Sequence, residues 1–589
     1  MSDIFDLLVD HLTNNVEWFD LPLPLGLAKL MSIRDKMRKD NLVDTEEPPL
    51  ESKPGTTPPE ALGARREDGM WNNETFPKMG AAGCRFGRNF PLTETRPDVP
   101  NLLNPNPRTV SSTLMTRDTF KPVAGLNLLA GAWIQFMVHD WFIHKRADPQ
   151  GPDVIKVPAA ADPADVLIVP ITPAEPAPAG STHPPAYANT STHWWDASSI
   201  YGDDAETIAR LRTGTDGKLK IEPSGRLLPD PTNGLDLTGF TENWWLGLAL
   251  LHSLFTLEHN YVCDQLKAAY PDNGDEWIFQ KARLVISALL AKIHTVEWTP
   301  AIVPHPTAAK ALHINWNGLA GDELQDLFPF LNNDEVLGGI VGSHAEQYAA
   351  PFSLTEEFVS VYRMHPLLPD DFTFSSAQSG KQIATYELLD LAGRATRAVQ
   401  ESMNPADMLY SFGIMHPGAV TLHNYPKHLQ TLKRDDGETL DLAAVDIIRD
   451  RERGVPRYNR FRTLVGKKPV TSWEELTDNS TWREQIKAVY GGDLEAVDLM
   501  TGLYAEPLPP GFGFSETAFR IFILMASRRL KSDRFFTDSF KPEIYTPVGY
   551  GHVRANGLAS VLLRHYPILT HALHGVMNPF FPWNLVDGE

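Results

Sequence analysis

Apolar residues recur at three- and four-residue intervals through much of the chain, the spacing that gathers side chains on one face of an α-helix. The strongest stretches are 124–142, 244–268, 278–299, 353–364, 438–452 and 516–531. The alternate-residue pattern of a half-buried strand is scarce. A mainly α-helical body follows. Residues 1–45 open with Ile4, Phe5, Leu8, Val9 and Leu12 at helical spacing, then WFDLPLPLGLAKLM with exposed-looking Trp18, Phe19 and several leucines. Such a leader serves either of two ends. It packs its apolar face on the main body, or it lies in a membrane interface without crossing it. Residues 46–80, rich in Pro, Glu and Gly, predict an extended segment that wraps the body. The Pro/Ala-rich stretch 157–188 predicts a long connection with one short strand. There is no internal repeat and no glycine-rich nucleotide loop.

The composition of the 589 residues, 42% hydrophobic and 22% charged, is that of a globular protein and excludes wholesale disorder. Lys+Arg is 53 and Asp+Glu 74, a net charge of 53 − 74 = −21, which argues against a nucleic-acid partner held by its phosphates. Two cysteines, Cys84 and Cys263, cannot build a disulfide framework or a zinc cluster and are expected to be structural thiols. No run reaches the roughly 18 apolar residues of a spanning helix. The start, MSDIFDLLVDHL, lacks the basic region and cleavage site of a secretory signal. The expected location is intracellular, either cytoplasmic or peripheral to a membrane.

Three motifs carry candidate chemistry. In GAWIQFMVHDWFIHK (131–145), Gln135 and His139 are four apart and share a helical face. Buried on an apolar helix, they need polar partners, and a satisfied core histidine would account for this segment read alone. In THWWDASSIYG (192–202), Thr192, Trp194, Asp196 and Ser198 alternate. A short loop wraps a hard cation with alternating oxygens, Trp194 giving its carbonyl; Asp140 would add a second carboxylate. A capped loop is the rival reading. In EEFVSVYRMHPLLPD (356–370), Tyr362 and His365 are three apart, neighbours on one helical face, with Pro366 ending the helix after His365. That pairing suits an axial metal ligand beside a radical-forming phenol; core packing is the alternative. His252, Glu258 and His259 on the 244–268 helix read as structural, and His144 as a surface residue.

The ordered blocks QFMVHDW, THWWDASSIYG, LHSLFTLEHN (251–260), VYRMHPLLPD and DLAAVDIIRDRERGVPRYNRFR (441–462) together resemble the peroxidase–cyclooxygenase superfamily, the animal-type haem peroxidases, over residues 80–540. Within it, MGAAGCRFGRN (79–89), HTVEWTPAI (294–302), MASRRLKSDRFF (525–536) and the LPLPLGLAKLMSIR leader are similar to the fatty acid α-dioxygenases. The resemblance implies a helical haem peroxidase-like fold with long wrapping loops and little β. Residues 46–589 would form one catalytic domain, preceded by the amphipathic 1–45. It implies non-covalent haem b with His365 as proximal iron ligand, His139 on the distal side with Gln135 its neighbour, and Tyr362 as the radical residue. It implies a structural calcium on Asp140, Thr192, Trp194, Asp196 and Ser198, and a fatty acid carboxylate held by His294, Thr299 and Arg529.

The implied reaction adds O2 at C2 of a medium- or long-chain fatty acid through a tyrosyl radical. The 2-hydroperoxy acid formed can lose CO2 to give the aldehyde one carbon shorter. No protein partner is implied. The alternative is a peroxidase oxidising small donors with hydrogen peroxide. A lipid-binding haem protein without turnover is a third class. Against the family pattern, GFTENWW (239–245) lacks the arginine near Glu242 and the residues that esterify haem. Asp446 stands where peroxidases have an asparagine on the proximal histidine. His294 and Thr299 are five apart, off one helical face, so Pro300 is expected to break the helix at Thr299 and turn it inward. Arg529 continues the face of Phe522 and Ala526 and is expected to grip the carboxylate bidentately, with Arg528 its rival.

Overall fold

In this computed structural model the described residues are all except 1–7, 10, 14–15, 149–150, 161, 322–333, 434–438 and 587–589. Ile4 and Phe5 lie outside them. Helix accounts for 46% of the structure and strand for 8%, so the helical reading of the periodicity holds.

The principal helices are α1 (Leu23–Asp40), α2 (Leu129–Val138), α3 (Leu246–Ala269), α4 (Asp275–Ile293), α5 (Pro306–Asn317), α6 (Glu356–Val361), α7 (Leu442–Glu452), α8 (Glu516–Ser532) and α9 (Pro542–Ala555). Each predicted apolar stretch contains one. The centre is α3, buried on all sides from Leu246 to Thr256, as expected of a helix apolar all round. It packs against α2 and α4, and α4 against α9. Further along α3, Glu258 accepts hydrogen bonds from His552 (2.8 Å), His565 (2.7 Å) and Arg564 (2.5 Å), and His259 meets the Tyr201 hydroxyl at 2.8 Å. Both are structural, as the sequence suggested. Cys84 and Cys263 are free thiols.

The leader departs from its exposed-looking sequence. Trp18 is fully buried, and its indole N–H donates to Glu516 on α8 at 3.1 Å. The rings of Phe512, Phe519 and His305 surround it. A tryptophan with a carboxylate for its N–H and aromatic rings for its face gains more from burial than from an interface. α1 starts on Pro22 and Pro24, where a missing N–H costs nothing, and ends with Arg38 and Lys39 at its negative pole. It turns Leu30, Arg34, Met37 and Arg38 inward. Leu8, Leu12, Val16, Leu23 and Leu25 remain exposed.

Three antiparallel two-stranded ribbons make up the sheet among the described residues. The 157–188 segment supplies Val166–Pro170 (β2), but this strand pairs with Val154–Pro158 (β1), which mostly precedes the segment. Ile155, Val157, Leu167 and Val169 pack on Ala444 and Ile448 of α7. The lone strand expected there is a hairpin, because an isolated strand leaves its backbone groups unpaired. Residues 46–80 run without regular structure apart from the turn Pro59–Leu62, and are pinned to the body where Arg65 and Asn72 meet Asp533 (2.8 and 2.9 Å).

Candidate active site

α6 begins at Thr355, whose side chain accepts from the Phe358 N–H, and stops at Val361. Tyr362 is its C-cap, and His365–Leu367 form a separate 3-10 turn. The continuous helical face expected for Tyr362 and His365 is therefore absent. Arg363 is drawn inward to Asp450 (2.6 Å) and the Asp446 carbonyl, and the residue before a proline resists the helical conformation. The break lets His365 bring Nδ1 to 3.2 Å from Asp446 Oδ2, which also accepts the Tyr425 hydroxyl at 3.2 Å. Burial pushes the Asp446 pKa up, but His365 and Arg363 outweigh it and hold the carboxylate below its ordinary value. The contact is at ion-pair distance and Nδ1 has no well-aligned hydrogen bond among the described residues, but a carboxylate beside Nδ1 favours the proton there, which would leave Nε2 as the ligand nitrogen. The His365 side chain is 29% exposed, whereas Tyr362 is buried.

Sequence reasoning missed Arg117. Fully buried, it donates to the carbonyls of Pro366 (3.1 Å), Leu368 (2.9 Å) and Asn424 (3.0 Å), and so clamps the turn that carries His365. In the sequence it sits in a polar stretch that resembles any surface loop.

α2 ends at Val138 with His139 as its C-cap. Gln135 accepts the Trp245 indole N–H at 2.6 Å and donates to the Asn243 carbonyl at 3.3 Å. His139 Nε2 lies 3.1 Å from His252 Nε2, while its Nδ1 has no hydrogen-bond partner among the described residues. Burial pushes the His139 pKa down to about 3 against an opposing pull from the Glu242 backbone, so the ring is neutral. His144 corrects its surface reading: it is buried, stacked on Phe86 at 4.2 Å, with Nε2 3.0 Å from both Glu356 oxygens. The chain leaves the helix after Val138, so residue 144 no longer follows the helical phase. These residues fit a haem. A backed, accessible imidazole stands at His365, and an unpartnered polar atom on the buried His139.

A second cluster forms around the Trp141 indole, which sequence reasoning also missed. Tyr362 (5.9 Å), His294 (6.1 Å) and the Arg529 guanidinium (3.8 Å) all face this one ring. Tyr362 stacks on Phe522 at 5.2 Å, and its hydroxyl has no partner among the described residues. Burial raises its pKa well above the ordinary phenol value, although Arg529 opposes this. The Trp133 indole N–H donates to His294 Nδ1 at 3.3 Å, so the proton of the neutral ring sits on Nε2, a buried donor with no partner.

Arg529 donates from Nε to the His193 carbonyl (3.1 Å) and from Nη2 to the Trp194 carbonyl (2.7 Å), leaving Nη1 unpartnered. The free two-pronged fork expected from sequence is thus half committed to backbone. Its rival Arg528 is spent on the Ala350 and Pro351 carbonyls.

The helix does not break at Thr299. After α4 it widens into a π-helical turn, His294–Trp298, and continues as Thr299–Ile302. A π-turn bonds residues five apart, so the spacing that ruled out a shared α-helical face brings the two together. The Thr299 hydroxyl donates to the His294 carbonyl at 2.7 Å, which commits its proton.

The loop 192–198 meets α2 at Asp140. The Ser198 hydroxyl donates to Asp140 Oδ2 at 2.5 Å and the Ser198 N–H to Asp196 Oδ1 at 3.2 Å. Thr192 accepts the Trp194 N–H at 3.1 Å. Asp140 Oδ1 and Asp196 Oδ2 have no hydrogen-bond partner among the described residues, the latter lying 3.9 Å from Arg283. Burial, with Asp196 adding to it, pushes Asp140 up to about 7. Two buried carboxylates with bare oxygens suit a cation. Among the described residues no group of three or more His, Cys, Asp or Glu could hold a metal, so hydroxyls and a carbonyl would complete the shell.

The burial of His294 has a pH signature. Desolvation, helped by Arg529, lowers its pKa from the ordinary 6.5 to about 3. Within that window the unfolded chain binds a proton that the folded chain does not, so stability falls as pH falls through it. The slope is about 1.4 kcal/mol per pH unit. His294→Gln should flatten the stability–pH curve by that amount in denaturant unfolding at a series of pH values; an unchanged slope would contradict a neutral buried ring.

Residues 64–577 match the family model of the animal haem peroxidases. The α-dioxygenase PIOX of Oryza sativa subsp. japonica is 37% identical over 96% of this chain and 93% of its own length. The crystal structure of Oryza sativa fatty acid α-dioxygenase superposes with a TM-score of 0.92 at 36% identity, covering 99% of this chain and 97% of that one. A tyrosine-to-phenylalanine variant of the rice enzyme, solved with palmitic acid, matches equally well, with a TM-score of 0.92. The chain belongs to the animal haem peroxidase family and, within it, to the fatty acid α-dioxygenases.

Proposed function

We propose that this protein adds dioxygen at C2 of a medium- or long-chain fatty acid, giving the 2-hydroperoxy acid. One observation carries the reading. Arg529 Nη1, His294 Nε2–H and the Tyr362 hydroxyl are three buried polar groups without hydrogen-bond partners among the described residues, gathered around one indole. A fatty acid carboxylate would answer the first two. Each buried CH2 is worth roughly 0.8 kcal/mol wherever it lies, so apolar contact alone selects no carbon; an anchored carboxylate fixes the distance to C2. Thr299 would join by turning its hydroxyl from the His294 carbonyl to the anion. The palmitic acid complex of the rice enzyme supports this substrate class.

His365 would hold a haem, with His139 and Gln135 lining its pocket, and the bound haem would supply the one-electron oxidant for the Tyr362 phenol. Tyr362 then takes a hydrogen atom from C2. Its oxygen is bound to nothing else and can approach the C–H bond directly. Dioxygen adds to the carbon radical, and the peroxyl group takes the hydrogen back from Tyr362. The hydroperoxide so formed can lose CO2 and water to give the aldehyde one carbon shorter. A peroxidase for small donors would have no use for a sealed arginine and histidine. Tyr362→Phe should abolish oxygen uptake with palmitate while leaving the Soret band unchanged; normal uptake would end the radical role. Arg529→Leu should raise KM by at least about thirtyfold.

Asp140, Asp196, Thr192, Ser198 and the Trp194 carbonyl are proposed to hold calcium. Since Arg529 hangs from that same carbonyl, the ion would brace the anion site as well as His139 next to Asp140. Asp196→Ala should lower calcium content and haem loading together; full haem loading without calcium would separate the two.

Residues 1–45 are proposed as a membrane-facing leader on the catalytic domain 46–589. No described helix is long and apolar enough to cross a membrane. The exposed Leu8, Leu12, Val16, Leu23 and Leu25 offer an apolar surface, and with a net charge of −21 attachment would be hydrophobic rather than polybasic. The double variant Leu23→Ser, Leu25→Ser should sediment less with liposomes; equal sedimentation would refute the assignment.

A further inference from the structure

The contact between His139 and His252 has no part in the scheme above, yet it engages His139 Nε2 and leaves only Nδ1 free among the described residues. His252 is wholly buried and His139 nearly so. The rings of Phe136 (4.8 Å) and Trp244 (5.0 Å) enclose His252, and Phe240 (5.2 Å) stands against His139. Each uncharged imidazole carries one ring proton. The Nε2···Nε2 contact of 3.1 Å accommodates one of them.

The third member decides which. Thr238 Oγ1 lies 2.8 Å from His252 Nδ1, its one hydrogen-bond partner among the described residues. A hydroxyl always has a proton to place. If Thr238 donates to Nδ1, then His252 carries its proton on Nε2 and donates it to His139 Nε2. The proton of His139 is then on Nδ1. The reverse arrangement would strand the Thr238 proton and leave His139 Nδ1 a bare acceptor, two unsatisfied groups in place of one.

We propose that His252, oriented by Thr238, is a positioning residue that occupies the lone pair of His139, so that the distal histidine presents an N–H donor and is withheld as a base. The proposal rests on reading His139 as the distal residue. Hydrogen peroxide must lose a proton to a base before it can oxidise the enzyme, so the pair slows that reaction. The dioxygenase tolerates this, because the peroxyl step returns the radical to Tyr362 and re-oxidation is rarely needed. The device thus biases the protein toward oxygenation and away from peroxidase turnover.

Neutron diffraction from deuterium-exchanged holoenzyme should place the protons on His139 Nδ1 and His252 Nε2; a proton on His139 Nε2 overturns the proposal. His252→Leu frees the lone pair and should raise guaiacol oxidation by peroxide at least about tenfold, within the range a positioned base supplies. His252→Gln, which keeps an N–H for His139, should return the rate to near the parent. No gain in His252→Leu, or a gain that persists in His252→Gln, overturns it. Adding His139→Gln to His252→Leu should erase the gain; a gain that survives shows that the effect does not pass through His139, and the distal reading fails with it. Should His252→Leu not fold, Thr238→Val and the neutron map decide: that variant releases the proton order and should raise the peroxide rate in the same direction, and an unchanged rate counts against it.

Discussion

A guanidinium sealed from water, with no carboxylate partner among the described residues, is the constraint around which this protein is arranged. Burial lowers the pKa of Arg529 to about 10, with Asp140, Asp196 and Tyr362 opposing the shift. Its Nε and Nη2 take backbone carbonyls, its face takes the Trp141 ring, and Nη1 is left for an anion. An uncompensated buried charge is expensive, so the surroundings must be rigid enough to hold it and incomplete enough to want a ligand. The two carbonyls belong to the loop that meets Asp140, Trp141 belongs to the turn after α2, and Arg529 itself to α8. The proposed anchor, radical residue and cation loop therefore share one set of supports.

The turn that carries His365 is organised by a different means. Arg363 and Arg117 pull on the chain from opposite ends of residues 363–368, one through Asp450 and the other through the carbonyls of Pro366 and Leu368. Between them, Asp446 stands 3.2 Å from His365 Nδ1. Tyr362 and His365 are close in sequence but belong to separate elements, each with its own buried arginine. That independence lets the phenol sit in the aromatic cluster with Phe522 and Phe358 while the imidazole stays partly exposed.

Much of this was legible before any coordinates. Periodicity located the helices, because burial on one face leaves a direct trace in the order of residues. The motifs drew attention to His139, Asp140, Tyr362 and His365 as polar residues in apolar runs, but the family resemblance, not their pattern, suggested their roles and favoured Arg529 over Arg528. What stayed hidden depends on backbone geometry or on distant partners. Trp18 looked exposed because Glu516 is some five hundred positions away. His144 looked superficial because the end of α2 left no mark in hydrophobicity. Arg117 and Trp141 carry no pattern of their own; they matter only through the carbonyls and rings the fold brings to them. The hydrogen bond between His252 and His139 joins two helices, and neither sequence segment announces it.

The π-turn at His294–Trp298 has a consequence for how this site tolerates change. Such a turn amounts to one extra residue held within an otherwise regular helix. Losing any single position there would tighten the coil and rotate α4 against the following helix by about 100°. His294 would then swing off the Trp298 ring, on which it now stacks at 4.7 Å, and out of reach of Trp133. Substitutions along this stretch change one side chain at a time, whereas a one-codon deletion would dismantle the anchor while leaving every motif letter but one in place.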